Sequence, residues 1–168
     1  MNLPEFFLDE VEREAASTRR VLERVPEGRN DWKPHPKSMP LGYLAALCAN
    51  MLGWIDFMVN QEEFDIEPPS GASTKPKIVD TVRELVEALD VSLEKARKAL
   101  KGTTEDHLLK RWKFLVRGHV VSEDPRYLMI RDGVLNHLAH HRGQLTVYLR
   151  LNESAVPAIY GPSADEAY

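Results

Sequence analysis

A single cysteine, Cys48, stands in 168 residues, so no intrachain disulfide can form, which fits a reducing compartment. Basic charge is also in short supply. The chain has 22 Lys and Arg against 26 Asp and Glu, a net charge of −4. That balance leaves no electrostatic footprint for a polyphosphate, and no nucleic-acid partner is expected. No segment reads as the roughly 20 apolar residues of a membrane span. The start, Met1-Asn2-Leu3-Pro4-Glu5-Phe6-Phe7, acquires an acidic residue at once and lacks a signal-peptide apolar run. Internal repeats, low-complexity stretches and dividing linkers are missing too. The expectation is one soluble, cytoplasmic domain over 1–168, without a membrane partner.

What is present is helical. Phe7, Val11, Ala15, Thr18, Leu22 and Val25 recur at helical steps through about 3–24, with charged residues on the other faces. Pro26-Glu27-Gly28 stops that stripe, and the prolines of Pro34-His35-Pro36 forbid a helix just beyond it. Ser38 followed by Pro40 marks a second start, from which Leu44, Leu47, Met51, Ile55 and Met58 point inward over about 40–60. A third stripe, Ile78, Val82, Leu85, Leu89, Leu93 and Ala96, spans about 77–101 and ends at Gly102. Residues 103–124 are less regular, with Val120-Val121 as a short extended piece. A fourth helix covers about 125–151, and the apolar tail 152–168 folds back on the body. Four long helices with little strand signal predict an all-α four-helix bundle with long inter-helix connections.

The chemistry concentrates in Asn136-His137-Leu138-Ala139-His140-His141-Arg142-Gly143-Gln144-Leu145. His137 and His141 are four apart, so they stack on one helix face, the geometry that offers two imidazoles to one metal ion. Ile130, Val134, Leu145 and Tyr148 share that face, so both rings point into apolar surroundings and need a partner. One candidate partner is a metal. The other is each other, a water or a tyrosine such as Tyr43. His140 lies about 60° off that direction and belongs to the helix flank. Arg142 and Gln144 are expected to bond a loop or the tail. Cys48 reads first as a small apolar residue on a buried helix, and second as a metal ligand. Trp32, Trp54 and Trp112 are expected in the core or a pocket wall.

The run His137 to Arg150 resembles the last-helix signature of the DinB-like (DinB/YfiT) four-helix bundle family. Leu41-Gly42-Tyr43-Leu44-Ala45-Ala46 with Gly53-Trp54 resembles its second helix, and Val156-Pro157-Ala158-Ile159-Tyr160-Gly161-Pro162-Ser163-Ala164-Asp165-Glu166 its closing segment. The matches lie in order and span most of the chain. The resemblance implies a bundle of DinB-like type and a homodimer. It also implies a divalent transition metal (zinc, nickel or iron) held by three histidines. Two of these map onto His137 and His141. The third maps onto position 47, where this chain has Leu47. Two functions stay open on these grounds. One is a metal-dependent enzyme of thiol S-transferase type, or a related hydrolase, with a degenerate site and Cys48 or a substrate group completing it. The other is a non-catalytic small-molecule-binding or stress-associated bundle with no metal.

Overall fold

The structure is a computed structural model that describes residues 1–72 and 74–167. Four helical rods form the body. The first is α1 (Leu3–Leu22). Asn2 caps it through a reciprocal capping box with Glu5, and Pro4 sits in the first turn. The second rod is α2 (Leu41–Asn50), a 3₁₀ turn (Met51–Gly53) and α3 (Trp54–Asn60). The third is α4 (Val82–Lys101). After a short α5 (Glu105–Leu108), the last rod joins α6 (Arg126–Ile130), a π-helical turn (Arg131–Asn136) and α7 (His137–Leu151). The second rod is enclosed by its neighbours, with α2 packed on α4 and α7 and α1 packed on α4.

The inward stripes expected from the sequence are buried: Phe7, Val11, Ala15 and Leu22 on α1, Leu44, Leu47 and Met51 to Met58 on the second rod, Leu85 to Ala96 on α4. Two starts differ from expectation. The third helix begins at Val82, because Thr81 and Glu84 form the capping box, and Ile78 is left 46% exposed. The second begins at Leu41 with Pro40 at the cap position, so Ser38 caps nothing. Leu41–Asn60 also corrects the reading of the hydropathy. It is long and apolar enough to cross a membrane, at 20 residues and mean hydropathy 1.4, yet 67% of that window is buried inside the fold. Its apolar surface is used by the core of the bundle.

The fold is not all-α. A three-stranded sheet, ordered β1-β2-β3, is built from the connection after the second rod and from the less regular stretch that follows the third. β1 (Glu63–Asp65) runs parallel to β2 (Arg111–Val116), which pairs antiparallel with β3 (His119–Pro125), where Val120-Val121 is extended as expected. The β2–β3 turn is Arg117-Gly118, and both residues have positive φ, 52° and 78°. That is the two-residue hairpin geometry whose twist matches paired strands. The Asp65 carboxylate holds it by accepting from the Arg117 N–H at 3.1 Å and the Gly118 N–H at 2.6 Å. Arginine has a Cβ that resists this conformation. Arg117→Asn should therefore raise stability by about 0.5–1 kcal/mol in a urea melt. An unchanged midpoint would mean that the exposed Arg117–Glu67 pair, 2.7 Å apart, offsets the relief of strain.

The tail returns as expected and is stapled to α1 and α7. Glu166 pairs with Arg20 and Arg24, and Asp165 with Arg150. Arg142, 2% exposed, pairs with Glu14 at 2.7 Å, donates to Thr18 at 3.1 Å and meets the Tyr160 hydroxyl. Its role is to bind the tail, as expected from the sequence.

Candidate functional site

The π-helical turn sets up the site. Such a turn carries an extra residue within one helical rod and rotates the helix after it relative to the helix before it. His137 is the first residue of α7 after that turn, four residues beyond Gly133. The rings of His137 and His141 lie 4.5 Å apart, and their Nε2 atoms approach to 2.8 Å. His141 Nδ1 meets Gln144 Oε1 at 2.9 Å, and Gln144 Nε2 meets His140 Nε2 at 3.0 Å. The helix thus joins all three histidines in one chain of hydrogen bonds. Gln144 works inside that chain and does not hold a loop, and His140 has an amide for a partner. The sequence reading missed both roles, although the three-residue and four-residue steps from Gln144 back to His141 and His140 are legible.

Proton counting gives this chain its direction. The Gln144 oxygen only accepts, so His141 donates to it from Nδ1 and keeps a lone pair on Nε2. His137 then donates its Nε2–H to that lone pair at 2.8 Å. Two neutral imidazoles satisfy the pair. Burial opposes an added proton. It pushes both rings below the ordinary 6.5, and the neighbouring histidines push the same way.

This has a pH consequence. The native pair takes up protons less readily than the unfolded chain, so its contribution is complete above the unfolded value near 6.5 and is lost as pH falls through the lower native values. Melting temperature should drop between pH 7.5 and 5, and the double variant H137N/H141N should flatten that slope. Parallel slopes for the two proteins would place the acid sensitivity elsewhere.

Leu47 is 7% exposed and offers no donor. Cys48 is fully buried, its thiol pushed up to about 12 by burial, and the charge it feels is Arg142. Among the described residues no group of three His, Cys, Asp or Glu could hold a metal ion. Two imidazoles on one tetrahedral zinc would hold their nitrogens about 3.3 Å apart, and catalytic sites use three protein ligands. The residues present therefore do not fit a complete metal site: they supply two donors, drawn to hydrogen-bond distance.

Next to the pair is a cavity of about 190 Å³ lined by Trp54, Phe57, Phe64, Trp112, Phe114 and His137, with Met58 and Met129 at its sides. Phe57 and Phe64 stack at 4.1 Å and 11°, and Trp112 lies 23° from both Phe57 and Phe114. Trp54 stands 5.9 Å from the His137 ring, so it joins the aromatic wall to the histidines. Trp112 is fully buried, and its indole nitrogen has no acceptor among the described residues. Core or pocket wall is what the sequence reading expected for all three tryptophans: Trp54 and Trp112 line the cavity, and Trp32 packs against the core, edge-on to Tyr148 at 5.4 Å.

Two solved structures share this architecture. A DinB-like protein from Bacillus cereus ATCC 10987 superposes with a TM-score of 0.70 at 22% identity, covering 93% of this chain and 97% of its own. The fold is that of the DinB-like proteins. YjoA, a DinB-like protein from Bacillus subtilis, gives 0.65 at 17% identity, covering 89% and 94%. No protein-family profile and no curated protein sequence matches the chain. At these identities the likeness carries the DinB-like fold, and the chemistry rests on the residues described above.

Proposed function

We propose that this DinB-like bundle is a small-molecule-binding protein that works without a metal. The observation that carries this reading is the aromatic cavity beside His137, next to a histidine pair whose expected third partner is replaced by Leu47. An apolar cavity with a single polar edge buries a weakly polar guest and orients it through that edge. Here the edge is His137, which His141 holds in place.

The test is a thermal-shift screen of chelator-treated protein against small aromatic compounds. Saturable stabilisation, about 2.7 kcal/mol at a ligand concentration one hundred times Kd, is the expected result. Stabilisation that appears only after zinc is restored would overturn the metal-free reading.

One observation favours a second reading, a metal-dependent transferase. The two Nε2 atoms converge to 2.8 Å, where a cation would displace the shared proton, with His137 and His141 as ligands and a substrate group completing the set. Metal content of tag-free protein separates the two readings. About one tightly held zinc, nickel or iron per chain supports the transferase. Loss of all metal on dialysis supports the binding protein. We place the protein in the cytoplasm as a single domain that acts as a homodimer, for which light scattering should give twice 19.1 kDa.

A further inference from the structure

Beside the aromatic cavity lies a second cleft of about 370 Å³, and the two share Trp54, Phe57 and Thr74 as a common wall. Their chemistry differs. The first is walled by aromatic and thioether side chains. The second is lined by Lys75, Lys77 and Lys95 and by one carboxylate, Asp56, which accepts a hydrogen bond from Asn60 at 2.9 Å. In a chain whose net charge is −4, the lining of this cleft thus has more cations than anions. A concave site with an excess of one sign of charge concentrates ions of the other sign.

We propose that the two cavities together bind one aromatic anion, its ring system among Phe57, Phe64 and Trp112 and its acidic group against the lysines. This rests on the reading of the chain as a small-molecule-binding protein and adds the class of the ligand. Planarity comes from the walls. Phe57 lies within 11° of Phe64 and 23° of Trp112, so the rings present similar faces, and a flat guest meets them by offset stacking. The negative charge comes from the lysines. An ammonium group on a flexible stem recognises charge without imposing a planar fork, so a carboxylate or a phosphate serves equally. A cationic guest is rejected by the same field.

The experiment is calorimetric titration of the full chain with 2-naphthoate and with its neutral analogue 2-naphthamide. The carboxylate should bind at least about tenfold more tightly at low salt, and the gap should narrow as ionic strength rises. The double variant K77Q/K95Q should bring the carboxylate down to the level of the amide. Equal affinities in the unaltered protein overturn the anion assignment while the binding function stands. Binding of neither compound overturns both. Because the first comparison needs no variant, poor folding of K77Q/K95Q leaves the test intact.

Discussion

Replacing Arg126 by alanine should destabilise the fold by about 3–5 kcal/mol, the largest loss expected from any single substitution here. Its side chain is fully buried and makes no use of a buried carboxylate. Nε donates to the Met58 carbonyl at 3.0 Å, Nη1 to the Arg111 carbonyl at 2.9 Å and Nη2 to the Gln61 carbonyl at 3.1 Å. Met58 and Gln61 belong to the C-terminal end of α3, where carbonyls lack helical partners and the helix dipole favours a cation. His107 serves the same end, with Nε2 at 2.8 Å from the Val59 oxygen. Alanine would orphan three carbonyls in a dry site and leave a void. The ion pair to Glu62 adds little, because that glutamate is 85% exposed.

The same guanidinium ties α3, which carries Phe57, to β2, which carries Trp112. Its loss should have a second effect: aromatic ligands should bind more weakly to Arg126→Ala even under conditions where it remains folded. Urea unfolding reads the first effect and titration the second. A stability loss below about 1 kcal/mol would show that water reaches the three carbonyls once the side chain is gone.

Arg126 also marks the limit of sequence reading. The bundle was legible because each long helix repeats one signal many times. Phe7 through Val25 alone give six positions on one face, and all six are buried. Of the sheet only Val120-Val121, within β3, was read as extended; β2 was missed, although Arg111-Trp112-Lys113-Phe114 alternates polar and apolar residues with the period of a strand. β1 has three residues, too few for any periodic signal, and exists because β2 pairs with it. The histidine pair was legible from a spacing of four within one helix. The cavity was not, because its walls come from α3, β1, β2 and the last rod, and only folding brings them together. Arg126 stands between Glu123-Asp124-Pro125 and the apolar Tyr127-Leu128-Met129-Ile130, and nothing local distinguishes a buried arginine from an exposed one.

Leu47→His should raise zinc affinity about 100-fold, or ~2.7 kcal/mol. The argument combines three points. The DinB-like resemblance puts a histidine at position 47, α2 packs against α7, and His137 and His141 already bring their Nε2 atoms to 2.8 Å, where a metal ion can replace the shared proton. A third imidazole completes the number of protein ligands that a catalytic zinc site uses. Without metal the variant should be less stable by about 1–3 kcal/mol, because a polar ring replaces a buried leucine in the core. Zinc should then recover that loss, since it binds the native arrangement and not the unfolded chain. Melting with chelator and with zinc, set beside direct titration of both proteins, reads each quantity separately. A metal-dependent rise in melting temperature that is absent from the unaltered protein would identify Leu47 as the substitution that separates this chain from a metal-binding bundle. No rise in either protein would mean that position 47 and the histidine pair do not converge. The pair would then be held as it is by Gln144 and by its own hydrogen bond, with His137 in the wall of the aromatic cavity.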